Sequence, residues 1–318
     1  MVVADKYNCA KSPMVCRTAK LMGNIFAFTA ISQDKKRSDA AIDAAIAEIA
    51  RIERLLTTFN EESQTAMINK NAGIRPVKVD NEIFELIARS KRISDLTQGA
   101  FDITYGSVDR KLWNFDTRMT QLPDKETAKR MVRLINYRNI ILDEHEHTVF
   151  LKLPGMRIGF GGIGKGYAAE RAKAVMRSHG IESGVVNASG DVAVWGNDQD
   201  GKPWTIGVAD PDHAGAIFSR FQLTDGAVAT SGNYEKFAII RGKKYSHTIN
   251  PKTGLPVTGI KSVTIICANA ELADAMATPV TIMGINAGVD MVNQIKGMEC
   301  IIIDDKNRLH TSNNIHLK

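Results

Sequence analysis

The sequence predicts an α+β fold of mainly antiparallel sheets with packed helices, and three observations carry that prediction. Helical periodicity dominates the early part of the chain, short strand-like runs are frequent after it, and tight turns join several of those runs. A regular βαβ alternation would look different.

From Ser38 to Leu56, residues Ile42, Ile46, Ile49, Ile52 and Leu56 recur at steps of three and four, giving one apolar helical face with Ser38 available as its cap. A second helix is expected over about 81–97 from Ile83, Leu86, Ile87, Ile93 and Leu96, with Gly99 as its stop. The segment between them reads as a polar loop. Asp124 to Ile135 reads as helical after Pro123, and Ile140–Leu142 and Thr148–Leu153 as strands around an acidic, His-containing turn. A glycine-rich stretch leads into a helix over 166–179 that ends at Gly180. Strands are expected at Gly184–Ala188, Val192–Trp195, Trp204–Val208, Phe218–Leu223, Ala227–Thr230, Phe237–Ile240, Tyr245–Ile249, Ser262–Ala268 and Cys300–Ile303. Two further helices fall at Glu271–Met283 and Val289–Ile295.

With 318 residues, 44% hydrophobic and 24% charged, the chain has ordinary globular composition and the length for a large core. Residues 21–318 are expected to form one domain or two intimate subdomains, after a flexible N-terminal segment over 1–20. No apolar run reaches the roughly 20 residues that span a bilayer, and the start lacks the apolar core of a secretory signal. Cys9 follows Tyr-Asn rather than a lipobox, so the expectation is a soluble protein, cytoplasmic as it stands or periplasmic had a leader been trimmed. A net charge of +6 is compatible with a polyanionic ligand, but the charges are dispersed and no aromatic-basic stripe marks a nucleic-acid face. The four cysteines show no C-x-x-C spacing and are assigned no chemistry; Cys267 and Cys300 lie in apolar runs, where a buried thiol is the usual reading.

The stretch Gly159-Phe-Gly-Gly-Ile-Gly-Lys165-Gly166 satisfies two motifs at once, G-x-G-x-x-G and the first seven positions of a Walker A loop. Their shared physics is a backbone free to approach phosphate oxygens, a helix N-terminus pointed at them, and a cation in Lys165. Neither specific nucleotide fold fits. A P-loop needs Ser or Thr after its lysine to hold magnesium, and here the residue is Gly166. A Rossmann fingerprint should open the first βαβ unit, whereas about half of this chain precedes the motif. The Walker-B-like run Cys300-Ile-Ile-Ile-Asp304-Asp305 reads as an ordinary apolar strand ending in an acidic turn.

Eight segments, in order, resemble the flavin transferase (ApbE-like) family: Met22-Gly23; Thr58-Phe59-Asn60 with Ser63; Gly99-Ala100-Phe101-Asp102; Gly161 to Ala168; Asn187-Ala-Ser-Gly190-Asp191; Ser231 to Glu235; His247-Thr-Ile-Asn-Pro251-Lys-Thr-Gly254-Leu-Pro256; and Ala273 to Thr278. Together they span about residues 21–310. The resemblance implies an α+β fold and a magnesium-dependent FAD:protein FMN transferase, which cleaves the FAD pyrophosphate, releases AMP and joins FMN to a Thr or Ser hydroxyl of an acceptor protein. That acceptor would be a redox-pump or fumarate-reductase-like subunit.

Asp274 and Thr278 are four apart in an expected helix and leave one face with hard oxygens suited to magnesium. By resemblance, the backbone carbonyl of Gly162 completes the protein ligands. Lys165 and the metal would neutralise the phosphoryl oxygens, and His247 would accept the acceptor hydroxyl's proton. Met22 and Phe59 match apolar positions near the flavin or adenine; Ala100, Phe101 and Asp102 would lie along the nucleotide, with Thr248 beside it. Asp191, Tyr234 and Glu235 are supporting residues. In one departure, Gly159 stands where the family usually has an aspartate, which removes any adenine or ribose contact made by that carboxylate. Alternatives are an FAD pyrophosphatase that uses water as acceptor, a non-catalytic FAD-binding protein, and a P-loop NTPase, against which Gly166 argues.

Overall fold

A computed structural model of the chain describes residues 3–4, 14–109, 121–213, 216–232, 237–240, 242–246 and 248–315. In chain order the strands and helices are β1 (Val3–Ala4), β2 (Met14–Leu21), β3 (Asn24–Ile31), α1 (Lys35–Leu56), α2 (Gln64–Lys70), β4 (Val77–Lys78) and α3 (Asn81–Leu96). Next come α4 (Lys125–Val132), β5 (Ile140–Asp143), β6 (Thr148–Leu151), α5 (Gly164–Ser178), β7 (Ser183–Ala188), β8 (Asp191–Trp195), β9 (Trp204–Ala209) and β10 (Ile217–Leu223). The chain continues through β11 (Gly226–Gly232), β12 (Phe237–Ile240), β13 (Lys243–Ser246), β14 (Ile260–Cys267), α6 (Ala270–Met283), α7 (Ile285–Asn293), β15 (Glu299–Asp304) and β16 (Leu309–Thr311).

The central sheet has eight strands in the order β16-β15-β14-β11-β8-β7-β3-β2, and each of its pairings is antiparallel. Both faces of its middle are covered. Ala193 and Trp195 of β8 point into the core shared with α1, α5 and α6, while Val192 and Val194 point into a second core with Trp204 and Ile206 of the small β1-β9-β10 sheet. A strand buried on both faces loses polar alternation, which is why β8 is apolar after its first residue. That first residue, Asp191, shares the helix-side face with Ala193, so its carboxylate is carried into the core rather than into water.

The helix periodicities hold with shifted ends. α1 starts at Lys35 because Asp34, not Ser38, caps it, accepting from the Arg37 N–H at 3.1 Å. Ser38 lies inside the helix, buried, with its hydroxyl unpaired. Leu96, expected on the buried face of α3, is half exposed. The expected polar loop between α1 and α3 holds α2 and β4. Residues 14–20 of the segment expected to be flexible form most of β2, an edge strand of the central sheet. Among the described cysteines, Cys16 is disulfide-bonded, contrary to the expectation of no chemistry, while Cys267 and Cys300 are free and buried.

Candidate functional site

The glycine-rich segment is clamped before it reaches α5. Asn69 of α2 donates to the Ile158 carbonyl at 3.0 Å and accepts from the Ile158 N–H at 2.7 Å, and the Gly159 N–H donates to the Ile103 carbonyl at 2.9 Å. The Phe160 carbonyl then accepts from the N–H groups of Ile163 and Gly164, turning the chain into the helix. Gly162 sits in this turn with the Phe101 ring at its side, 3.6 Å from where a Cβ would stand. Met22 occupies a two-residue hairpin turn between β2 and β3, and its methyl lies 3.5 Å from the corresponding point on Gly164. Met22 and Phe101 therefore each border the glycine turn.

Lys165 and Gly166 form the first turn of α5, and α6 packs directly on them. A Cβ on Gly166 would lie 2.1 Å from the Ala270 carbonyl oxygen and 2.6 Å from the Asp274 Cβ, so no side chain fits. The close approach lets the Gly166 N–H donate to Asp274 Oδ2 at 2.9 Å, with the Lys165 N–H also directed at that carboxylate. Asp274 thus sits at the positive end of α5. The sequence reading assigned this helix end to phosphate; two of its N–H groups face Asp274 instead. Thr278, one turn further along α6, is half-buried on the same helix face.

The Lys165 ammonium pairs with Asp191, which also accepts from the Thr230 N–H of β11. Burial drives the Asp191 carboxyl above the usual range, with Lys165 pulling it back. Asp274 is raised as well, by burial first and then by the Asp191 charge, against Lys165 and the helix N–H groups. Two buried carboxylates and one ammonium share this junction of α5, α6 and β8. Sequence reasoning ranked Asp191 only as a supporting residue and missed Asn69; the turn Asn187-Ala-Ser-Gly190-Asp191 signalled the first, and nothing local signalled the second.

The remaining expected site residues sit in a range of environments. Phe59 is 95% exposed on the loop after α1, which Ser63 holds by donating to the Thr57 carbonyl at 2.6 Å. Ala100 and Phe101 are buried. Asp102 is buried with its carboxylate occupied by the Thr104 N–H and hydroxyl and the Tyr137 N–H at 2.6–2.8 Å, so its polar contacts are internal. Thr248 is buried, its N–H donating to the Ser246 hydroxyl at 2.9 Å. The turn that follows fits against α4, where a Cβ on Gly254 would lie 2.1 Å from the Ala128 carbonyl oxygen. His247, Tyr234 and Glu235 lie outside the described residues.

Among the described residues no three His, Cys, Asp or Glu side chains converge as a metal cage. Magnesium does not demand one, since it is commonly held by one or two carboxylates with substrate phosphate and water. A buried carboxylate one helical turn from a half-buried hydroxyl on the same helix face is a donor pair that fits such an ion. Asp304 ends β15 as the Walker-B-like run suggested, but its carboxylate holds its own turn, accepting from the N–H groups of Lys306 and Arg308 and from the Arg308 side chain.

A large antiparallel sheet backed by helices, with a glycine turn feeding one helix onto the Asp274 side of another, defines the class as an α+β protein. The chain belongs to the ApbE family, whose family model matches residues 22–302. It is 31% identical over 293 residues to a FAD:protein FMN transferase of Klebsiella pneumoniae, covering 92% of this chain and 89% of that one. A FAD:protein FMN transferase of Treponema pallidum is 28% identical, over 87% and 82% of the two chains. The crystal structure of the ApbE protein of Thermotoga maritima superposes with a TM-score of 0.84 at 30% identity, covering 94% of this chain and 97% of that one. The apo flavinyl transferase ApbE of Pseudomonas stutzeri, 22% identical, shares the fold at a TM-score of 0.81 over 94% of each chain.

Proposed function

We propose that this chain is a magnesium-dependent FAD:protein FMN transferase. The observation that carries the reading is the packing of Asp274 against the first turn of α5, in a chain that belongs to a family of flavin transferases. Asp274, the Thr278 hydroxyl and the Gly162 carbonyl would hold the ion. Magnesium, when bound, supplies positive charge to the pyrophosphate oxygens as AMP leaves. Lys165 places a second positive charge beside the same oxygens, and Met22, Phe59, Ala100, Phe101, Asp102 and Thr248 border the flavin nucleotide. The acceptor hydroxyl attacks the FMN phosphorus, its proton passes to His247, and the bond to the AMP phosphate breaks. The acceptor is a threonine or serine of a redox-pump or fumarate-reductase-like subunit.

The test is to incubate the protein with FAD and Mg2+, with and without a domain carrying a candidate threonine, and to follow AMP and acceptor mass. The expected result is a mass gain equal to FMN minus water, with AMP released in step. AMP and free FMN without acceptor labelling would make the protein a pyrophosphatase. FAD that stays bound and intact would make it a carrier.

A further inference from the structure

The Lys165 ammonium pairs with one buried carboxylate, and its charge also acts on a second that is bound by the N–H groups of the lysine's own helical turn. The paired carboxylate is Asp191, at the first residue of β8. Asp274 lies within the field of both, and its carboxylate is already fixed by N–H groups of the same helical turn. Asp191 is 2% exposed and is itself fixed by the Thr230 N–H, so the ammonium is tied to the rigid centre of the main sheet rather than to a mobile loop. Lysine is a flexible point charge on a four-carbon stem, and without a fixed partner it would turn to the next buried carboxylate. That carboxylate is Asp274.

We propose that Asp191 is a positioning residue that keeps the Lys165 ammonium off Asp274, so that a divalent cation and the lysine occupy separate carboxylates instead of competing for one. This deepens the proposed cation site at Asp274 and rests on it. The electrostatic logic is simple. An ammonium and a dication directed at one carboxylate in a site of low dielectric repel strongly, and the ammonium, being covalently attached, has the higher local concentration. A second buried carboxylate removes the conflict at the cost of its own desolvation, which the ion pair and the Thr230 N–H offset.

Calorimetric titration of Mg2+ into the wild type, Asp191→Asn and the double variant Asp191→Asn with Lys165→Met tests this. The asparagine amide oxygen would still accept from the Thr230 N–H, so the single variant should fold. Its Mg2+ affinity should fall by about 10–100-fold, the range seen when the support of a metal ligand is removed. Deleting the lysine in the same background should restore affinity to within about threefold of the wild type, since the competitor is gone. A merely structural role for Asp191 predicts no rescue, and unchanged affinity in the single variant also overturns the proposal.

A metal-free arm separates this inference from the function it rests on. The coupling between Lys165→Met and Asp274→Asn, measured by urea unfolding without added ions, should grow by about tenfold in the unfolding constant when Asp191 is replaced by asparagine. Coupling that stays the same would overturn the inference even in an active transferase. Growth of the coupling in a protein that transfers no FMN would leave the inference standing and remove the functional reading alone.

Discussion

The Gly166 N–H donates to Asp274 Oδ2 at 2.9 Å, and this bond exists because nothing stands between the backbone of α5 and the side of α6. The residue that breaks the P-loop pattern is therefore the one that lets the two helices meet. Gly166→Ser, which would complete a Walker A sequence, should destabilise the fold by at least about 3 kcal/mol, because its Cβ meets a backbone carbonyl that has no rotamer to retreat into. Thermal unfolding should show the loss, together with loss of any Mg2+-dependent rise in Tm. A P-loop enzyme would respond in the opposite direction.

Asp274→Asn keeps an acceptor for the Gly166 N–H and removes the charge. AMP release from FAD should drop by at least about 100-fold while the apo protein remains folded by circular dichroism. Wild-type turnover in this variant would exclude Asp274 from the cation site.

Gly159 donates its N–H to Ile103, yet a Cβ there would find no heavy atom within 4 Å. Gly159→Asp should consequently leave stability within about 0.5 kcal/mol of the wild type. With FAD in the proposed site, one hydrogen bond from the added carboxylate should tighten its binding by roughly 2–10-fold. Fluorescence titration of FAD reads that change directly.

Burial pushes the Cys267 and Cys300 thiols up to about 11. At pH 8 each is ionised to only about one part in a thousand, so alkylation of the native protein at these two residues should be at least about 100-fold slower than in denaturant. Peptide mapping after a timed maleimide pulse checks it, and rapid labelling of either residue in the native state would contradict the burial.

Asp304 is buried, which opposes ionisation, but the Arg308 N–H and side chain, His310 and the Lys306 N–H outweigh burial and hold its carboxyl well below the usual range. A depressed folded-state pKa contributes stability that is present above the unfolded value of about 4 and is lost as pH falls through the folded value. The Tm difference between the wild type and Asp304→Asn should accordingly be largest above pH 5 and shrink below about pH 3. A difference independent of pH would mean the charge on Asp304 does nothing for the fold.

Much of the architecture was legible because it is local. The step of three and four in Ile42, Ile46, Ile49 and Ile52 places one helix face in the core, and all but the half-buried Ile46 are fully buried there. Its start was misread because Ser38 and Asp34 are both good caps, and the choice between them depends on which residue the sheet buries. Short α2 was invisible for a related reason: seven residues carry too little periodicity, and the helix is held by tertiary contacts such as the Asn69 clamp on Ile158.

Sequence by itself determined the helix faces, the turn glycines, the ordered series of motifs and the exclusion of a P-loop, because each depends on residue type at fixed local spacing. Tertiary structure decided how Lys165, Asp191 and Asp274, which lie 26 and 83 residues apart along the chain, share one buried junction. It also decided that the end of α5 faces a carboxylate and that Asp102 serves its own turn. Burial sets the cost of leaving a charge or an N–H unpaired, and which groups must then satisfy one another is fixed only when the sheet and helices close over them.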